Sequence, residues 1–374
     1  MHISMVGFDA SAEVTRRLDG RTATAINANL TSVANVGDAN PLRLNSGVAF
    51  MGVTKQGPFD VTLEGVSEWL SAPNASGLPN SDVLVPYLNG KDVTQRSRQA
   101  WLITFPLGST LEAAARYEAP LAFAQAHVKP FRAARQRGWF RDQWWQLYAG
   151  RPELRQAMDG KQRYVATPRV AKHRLFVWLE WPILPDCQLI VFARDDDYSL
   201  GVLHSRSHEL WARASGTQLR EAESGFRYTP TTCFETFPFP EPTDAQREAI
   251  GAAAKELDGL RARWLNPPEW TKQEVLEFPG SAGGPWARYV HDADADAIGT
   301  VRYPRVVARD GEYAKLLVKR TLTNLYNERP AWLDLAHRRL DEAVAAAFGW
   351  PVDLSDEELL ARLLELNVSR NVNT

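Results

Sequence analysis

Apolar residues recur at helical spacing in some parts of the chain and at strand spacing in others, so the pattern predicts a mixed α+β architecture of the α/β class. The segments at 63–70 and 111–136 carry apolar positions three and four residues apart, and Pro120 and Pro130 limit or bend the second helix. The runs RYVAT, LFVWLEW and QLIVFARD are rich in branched and aromatic residues, which predicts three strands. Residues 199–214 return to helical spacing and predict one helix.

A proline-rich segment, YTPTTCFETFPFPEP at 228–242, separates this mixed region from a helical end of the chain. Thr243 caps the first helix after it, and Ser355 with Glu358 forms the capping box of the last. The run HISMVGF at 2–8 predicts a strand, and one strand cannot bury itself without a sheet supplied by other residues. We therefore expect three parts: a terminal strand and linker of a larger sheet at 1–32, a mixed domain at 33–242, and an all-helical domain at 243–374.

The composition excludes several classes of protein. With 374 residues, 44% hydrophobic and 24% charged, the chain has enough apolar residues for ordinary cores, and global disorder is excluded. Its two cysteines, Cys187 and Cys233, form no spaced cluster, which argues against a disulfide framework and a cysteine-type zinc site. No apolar run reaches the roughly 20 residues that span a bilayer, and the N-terminus lacks the pattern of a secretory signal. We expect a cytoplasmic protein with no membrane partner.

Positive charge is concentrated in one part of the sequence. Residues 129–174 contain twelve Lys or Arg and three acids, a balance of +9, whereas the whole chain has a net charge of −2 and the remainder therefore −11. Such a concentration is self-repulsive unless a polyanion binds it, and a nucleic-acid backbone is the commonest polyanion. An ordinary solvated surface is the alternative. We expect double-stranded DNA to be the partner.

Two kinds of contact are expected on that DNA. Arg169, Lys172 and Arg174 flank strand-like runs with no acid between Gly160 and Leu179, so we expect them to contact phosphate. The Gly-punctuated loop after residue 214 offers forked side chains suited to reading bases. The candidate DNA-binding residues are Lys161, Arg163, Arg169, Lys172, His173, Arg174, Arg206, Arg213, Gln218, Arg220, Glu221 and Arg227.

Three other patterns suggest metal sites, and none is complete. His204 and His208 lie four residues apart beside Glu209, but a zinc site needs a third ligand, and the order HxxxHE differs from HExxH. The acidic run 195–197 resembles a magnesium site of nucleases, yet adjacent strand residues point to opposite faces. The DADADA run at 292–297 lacks the glycine and distal glutamate of a calcium loop. We therefore expect no metal and no catalytic residue in this chain.

Five stretches in this order resemble one known family. The chain is similar to the C-terminal half of the MmeI-like, single-chain DNA adenine-N6 methyltransferases of type II restriction–modification systems. The matching stretches are SDVLVPYLNGKDVTQRSRQAWLITF at 81–105, RYVATPRVAKHRLFVWLE at 163–180, LIVFARDDDYSLGVLHSRSHELWA at 189–212, YTPTTCFETFPFP at 228–240 and LTNLYNERPAWLDLAHRRLDEAVAAAFGW at 322–350.

The resemblance implies a role for each part. Residues 1–32 would be the last strand and linker of a Rossmann-like methyltransferase domain, 33–242 the target recognition domain, and 243–374 the helical C-terminal domain. Such enzymes transfer a methyl group from S-adenosylmethionine to an adenine flipped out of the duplex. The recognition domain reads the DNA sequence, and some members carry a nuclease.

The chain departs from that family at the catalytic motifs. It has neither the Gly-rich turn that holds S-adenosylmethionine nor an Asn-Pro-Pro-aromatic tetrapeptide, since its single Asn-Pro-Pro, at 266–268, is followed by Glu269. We therefore expect no cofactor in this chain, no activity of the chain alone, and a partner encoded upstream that supplies the catalytic half and S-adenosylmethionine. A stand-alone metal-dependent nuclease using residues 195–197 with His204 or His208, and a non-catalytic nucleic-acid-binding protein, remain as alternatives.

Overall fold

The computed structural model describes residues 15–18, 20–23, 26, 36–135, 138–218 and 225–372. The predicted strand HISMVGF and most of the predicted linker up to residue 32 lie outside these ranges. The helices of the described part are α1 Leu63–Ser71, α2 Gly90–Thr94, α3 Leu111–Ala114, α4 Glu118–Arg135, α5 Trp139–Asp142, α6 Pro152–Ala157, α7 Asp197–His204, α8 Arg206–Ser215, α9 Asp244–Leu265, α10 Gly311–Leu317, α11 Leu322–Glu328, α12 Ala331–Phe348 and α13 Asp356–Val372.

The strands form five small sheets within the described ranges, and the mixed α+β class predicted from the sequence is confirmed. The strands are β1 Arg16–Leu18, β2 Arg21–Ala23, β3 Ala49–Met51, β4 Asp60–Thr62, β5 Leu84–Leu88, β6 Ala100–Ile103, β7 Arg163–Pro168, β8 Val170–Ala171, β9 Val177–Glu180, β10 Leu184–Pro185, β11 Leu189–Phe192, β12 Thr217–Gln218, β13 Phe226–Arg227, β14 Thr271–Ser281, β15 Val290–His291 and β16 Ile298–Ala308. The orders of the five sheets are β1-β2, β10-β5-β6-β4, β3-β11-β7-β9, β12-β13-β8 and β14-β16-β15, and all these pairs are antiparallel except β10 with β5.

The three strands predicted from branched and aromatic runs are confirmed as β7, β9 and β11. The helix predicted over 199–214 is two helices, because Ser205 adopts an extended conformation between α7 and α8. The Ser205 hydroxyl accepts a hydrogen bond from the backbone N–H of His208 and caps the second helix. Local capping therefore overrides the continuous apolar spacing.

The C-terminal part differs from the expected all-helical domain between residues 271 and 308. There β14 and β16 pair over eleven residues each, and Phe278 on β14 is buried in the core formed by the β10-β5-β6-β4 sheet. On that sheet, the Trp101 ring stacks against Trp286, with 5.3 Å between ring centroids. The hairpin is stable because it buries one apolar face against an earlier part of the chain, a contact that local periodicity does not reveal.

One hydrophobic core extends across the domain boundary expected at residue 242. Helices α7 and α8 share one hydrophobic cluster with α9, α11, α12 and α13, in which Trp211 packs with Ile250, Leu325 and Leu340. The predicted cap at Thr243 begins α9, and the predicted capping box of Ser355 and Glu358 begins α13. The helical end therefore packs against the mixed region through a shared hydrophobic core.

No helix in the described ranges combines the length and the apolar character needed to cross a membrane.

Candidate nucleic-acid interface

The small sheet β12-β13-β8 brings together the two segments that the sequence singles out for DNA contact. Phe226 pairs with Ala171, and Arg227 pairs with both Val170 and Thr217. Strand β8 lies within the basic stretch, while β12 and β13 border the predicted readout loop. The predicted phosphate contacts and the predicted base-reading loop are therefore neighbours in the fold.

This pairing depends on the glycine just before β13. Gly225 has a φ of +79°, and a Cβ added there would lie 1.8 Å from the carbonyl oxygen of Ala171. Only glycine adopts this conformation easily and lets two backbones approach so closely. Gly225 therefore fixes the end of the readout loop against β8.

Two exposed cations of the predicted set lie at this sheet. Arg227, on β13, is opposite Val170, and Lys172 follows the end of β8 directly. The Lys172 ammonium donates a hydrogen bond to Asn327 Oδ1 at 2.8 Å. His173, half-buried, makes a 2.9 Å hydrogen bond with the same oxygen.

Helices α2 and α11 continue this surface. Residue Thr323 of α11 donates a hydrogen bond to the carbonyl oxygen of Thr94 at the end of α2, and it accepts one from Gln95. At the other end of α2, a Cβ on Gly90 would lie 3.4 Å from the carbonyl oxygen of Gln188. That same oxygen accepts the backbone N–H of Arg169. Helix α2 therefore lies beside the residue that precedes β8.

Four cations occupy this surface, which we call the cationic rim: Lys91, Arg169, Lys172 and Arg227. Lys91, on α2, is exposed, and Arg169 is half-buried. None of the four side chains forms an ion pair with an acid in the part of the chain that the structure describes. The rim is assembled from three sequence segments and retains unpaired positive charge, which is what phosphate contact requires.

The structure corrects the expectation for Arg174. Its side chain is 3% exposed, and its guanidinium donates to Thr167 Oγ1 at 3.0 Å, to the carbonyl oxygen of Phe226 at 3.1 Å and to that of Pro168. The guanidinium also lies over the rings of Phe226 and Tyr228. Burial lowers the pKa of Arg174 to about 10, so the group stays charged at neutral pH. Arg174 stabilises the sheet from inside, where no phosphate reaches it.

Lys161 and Arg163 are paired with acids, unlike the rim. Lys161 lies 3.6 Å from Asp195, and Arg163 lies 3.0 Å from Asp197 while stacking over the Trp178 ring. The basic stretch has few acids of its own, but the acidic run at 195–197 folds back beside β7 and neutralises part of it. The sequence count of +9 therefore overstates the free charge.

Arg206 and Arg213 also form ion pairs with acidic residues of the same chain. Arg206 donates to Asp356 and to the carbonyl oxygen of Leu354, which joins α8 to the start of α13. Arg213 pairs with Glu209 one turn earlier on α8, at 2.6 Å. Ion pairs between exposed groups of this kind are weak, so neither arginine is prevented by its ion pair from contacting a phosphate.

The readout loop itself is described only at its edges. Gln218 belongs to β12 by its backbone, and its pairing with Phe226 places it next to the rim. Arg220 and Glu221 lie outside the described residues.

The side chains considered for metal binding do not converge. His208 uses both ring nitrogens, with the carbonyl oxygen of Leu203 and the hydroxyl of Tyr228, and His204 bonds to Arg261. Asp196 caps α7 by accepting from Ser199. No group of three His, Cys, Asp or Glu able to hold a metal ion occurs among the described residues. The residues of the alternative nuclease interpretation therefore serve packing and capping.

The single Asn-Pro-Pro does not fit an adenine-binding motif. The Asn266 side chain accepts a hydrogen bond from Arg96 at 2.8 Å at the end of α9, and Pro267 is buried. Glu269 stands where an aromatic ring would stack on the base. These residues terminate a helix, so they do not form the site that S-adenosylmethionine chemistry would need.

Sequence reasoning missed Lys91. Its segment, 81–105, balances three cations with two acids, so charge counting gives no signal there. Its location became evident only from the contacts of α2 with β7 and α11.

The chain matches a family model, a curated protein and a solved structure. Residues 108–241 match the family model of the MmeI target recognition domain. DNA methyltransferase A of Bacillus subtilis (strain 168) is 28% identical over 171 residues, which are 45% of this chain and 13% of that protein. The structure of the type IIL restriction-modification enzyme MmeI in complex with DNA superposes with a TM-score of 0.64 at 17% sequence identity, over 94% of this chain and 39% of that one.

The chain thus spans 13% of the length of the curated relative and 39% of the solved structure. The structural likeness extends across nearly the whole chain and concerns the fold, whereas the family match covers the region that carries β7 to β13 and most of the rim. Residues 108–241 of this chain are therefore similar to the MmeI target recognition domain.

Proposed function

We propose that this chain is the sequence-recognition part of a site-specific DNA methyltransferase of a restriction–modification or related phage-defence system, and that it binds double-stranded DNA through the cationic rim. The observation that carries the proposal is the convergence of Lys91, Arg169, Lys172 and Arg227 beside the readout loop, inside or next to a matched target recognition domain. Phosphate contacts from the rim would set the register, and the loop would read the bases.

The chemistry of methylation belongs to a partner in this proposal. The methyltransferase half would bind S-adenosylmethionine and methylate adenine at N6, and the described residues of this chain would hold the duplex in position for it. The geometry at Asn266 supports this separation of DNA recognition from methylation, because the single Asn-Pro-Pro of the chain lies at the end of α9 and terminates that helix. A cytoplasmic location is part of the same proposal.

Duplex binding by the purified, folded chain tests the first half of the proposal. Fluorescence anisotropy with a labelled duplex pool at low salt should show saturable binding, and the affinity should fall steeply as salt rises. Enrichment of one sequence over repeated selection rounds would identify the site. A folded chain with no affinity for duplexes at low salt would refute the proposal.

Methylation is tested separately by co-expression with the polypeptide encoded immediately upstream. Modified-base mapping of the host genome should then show N6-methyladenine at one sequence motif. Genomes from cells expressing either polypeptide alone should lack it. An unmodified genome in the presence of both soluble polypeptides would remove the methyltransferase assignment while leaving DNA binding intact.

A further inference from the structure

A solvent-open cavity of about 480 Å³ lies away from the cationic rim, between the β10-β5-β6-β4 sheet and the loop that follows β14. This volume falls within the roughly 300–1,000 Å³ typical of small-molecule sites. Its lining has one acidic and one basic side chain, the carboxyl of Asp82, whose pKa is raised by burial, and the guanidinium of Arg155. The function proposed above makes no use of this cavity.

Both charged groups are positioned at the same end of strands β5 and β6. Asp82 immediately precedes Val83, whose carbonyl oxygen accepts the backbone N–H of Thr104 at 2.8 Å. Arg155 donates to Thr104 Oγ1 at 2.9 Å and to the carbonyl oxygen of Gly150 at 2.9 Å. The acid and the base are therefore held near each other by the pairing of two strands.

Each charged group keeps capacity for a ligand. The Asp82 carboxylate accepts from the hydroxyl of Ser281 at 2.7 Å and from its backbone N–H at 3.4 Å, which leaves lone pairs on both oxygens. Arg155 has no carboxylate partner among the described residues, and its Nη1 makes no hydrogen bond there. A ligand that both donates and accepts hydrogen bonds would satisfy both groups.

The rest of the lining is mostly apolar and includes two aromatic rings, those of Trp181 and Tyr117. Tyr117 is 7% exposed, and its hydroxyl has no hydrogen-bond partner among the described residues. Burial raises the pKa of Tyr117, and the nearby carboxylate of Asp82 raises it further, so the hydroxyl remains a donor at neutral pH. Aromatic rings favour a ligand with a flat face that can stack on them.

We propose that this cavity binds a nucleobase, with Asp82 accepting from the amino or imino N–H groups of the base and Arg155 donating to its ring nitrogen or carbonyl oxygen. The one acid and one base cancel in charge, so a neutral ring with a mixed donor–acceptor edge fits better than a phosphate, which Asp82 would repel. The base comes either from a free nucleoside or from an unpaired position of a nucleic-acid strand. This inference does not rest on duplex binding by the rim.

Ligand-observed NMR titrations of the full chain test the proposal, with guanosine, adenosine and thymidine as probes and ribose 5-phosphate as the control for phosphate binding. At least one nucleoside should bind saturably and more tightly than ribose 5-phosphate, or a short single strand should bind more tightly than the same strand with an abasic site. Binding of nucleosides would identify the free base as a ligand, and binding of the strand alone would identify an unpaired base. Absence of both, or equal binding of ribose 5-phosphate, would overturn the proposal.

Two variants locate the binding. Asp82→Asn should raise the dissociation constant about tenfold or more, because a charge-assisted hydrogen bond is lost. Tyr117→Phe keeps the ring and removes the hydroxyl, so it preserves the fold and should weaken binding a few-fold even if the first variant is unstable. Asp142→Asn, which changes an exposed acid paired with Arg141, should leave binding unchanged. Unaltered binding by folded Asp82→Asn and by Tyr117→Phe would place the ligand elsewhere and refute the proposal.

Discussion

The guanidinium of Arg174 donates a hydrogen bond to the carbonyl oxygen of Phe226 at 3.1 Å, although the two residues are 52 positions apart in the chain. This contact joins the basic stretch to the far side of the readout loop from within. It also gives the buried cation of the basic stretch a structural role. Strands β8 and β13 form only a two-residue pairing, and the guanidinium supplies the hydrogen bonds that so short a ladder lacks.

Replacement of Arg174 by Met should destabilise the fold. The change leaves Thr167 and the carbonyl groups of Pro168 and Phe226 without a donor, and each unsatisfied buried group costs about 1–3 kcal/mol. We expect a total loss of about 3 kcal/mol in the free energy of unfolding, measured by urea denaturation. Arg194→Met, at an exposed cation, should change stability by less than about 0.5 kcal/mol. Equal stability of the two variants would contradict the role assigned to Arg174.

Substitution of Gly225 by Ala should disrupt the sheet that carries the rim. The Cβ would collide with the carbonyl oxygen of Ala171, so β8 and β13 would have to separate. We expect at least a tenfold loss of duplex affinity, measured by anisotropy. Gly160→Ala is the matched control, since Gly160 also has a positive φ, +71°, but faces open space. It should cost about 1–2 kcal/mol of stability and leave DNA binding intact. Similar affinities for the two variants would argue against the β8–β13 pairing as the platform.

The double variant Lys172→Ala, Arg227→Ala should make duplex binding less sensitive to salt. Each phosphate contact contributes about 0.9 to the slope of log K against log salt concentration, so loss of both should reduce its magnitude by about 1.8. Arg116→Ala removes an exposed cation that has no ion pair in the described chain and lies outside the rim, and it should keep the original slope. An unchanged slope in the double variant would show that these two residues do not meet phosphate.

Mild acid should destabilise the protein through its buried histidines. Burial lowers the pKa of His208 to about 3 and that of His337 to about 4, whereas in the unfolded chain both have the ordinary value of 6.5. The contribution of the two histidines to the free energy of unfolding is therefore fully present above pH 6.5. It is lost as the pH falls from there towards the folded-state pKa values, because the unfolded chain binds protons that the folded chain does not. Between pH 7 and 5 each ring should cost about 2 kcal/mol.

Asp341 acts in the opposite direction over part of this range. Burial raises the pKa of Asp341 to about 6 from 3.8, so protonation of Asp341 stabilises the folded chain as the pH falls through 6. By pH 5 this offsets about 1 kcal/mol of the free energy of unfolding lost through the histidines. Urea unfolding of His337→Gln at pH 7 and pH 5 isolates one ring and should show a loss smaller by about 2 kcal/mol than the wild type. His291→Gln, which alters an exposed ring, should behave as the wild type. Equal losses in all three proteins would refute the assignment.

Much of the local structure follows from the sequence. The branched runs that become β7, β9 and β11, and the caps at Thr243 and Ser355, depend on residues close together in the chain, where propensity and side-chain capping act directly. The break at Ser205 is the exception within local structure, because one serine hydroxyl capping α8 outweighs the apolar spacing of the whole segment.

The candidate site was predicted in part. The sequence located the basic stretch and the loop after α8, and the structure pairs β8 with β13, which brings Arg227 on β13 close to Lys172 directly after β8. It could not separate Arg174, which is buried, from Lys172, which is exposed, because both belong to one run of like charges. Burial depends on what packs over a residue, and that comes from Phe226 and Tyr228 much later in the chain.

The amino-acid sequence by itself determined the mixed α+β class, the excess of cations in one region and the absence of the methylation motifs, since these depend on residue type and order. Only the tertiary structure decided which cations are free. It placed Asp195 and Asp197 against Lys161 and Arg163. It also brought α2, which carries Lys91, beside Arg169 from 78 positions earlier. Electrostatic energy depends on distance in space and on burial, and neither quantity can be read from distance along the chain.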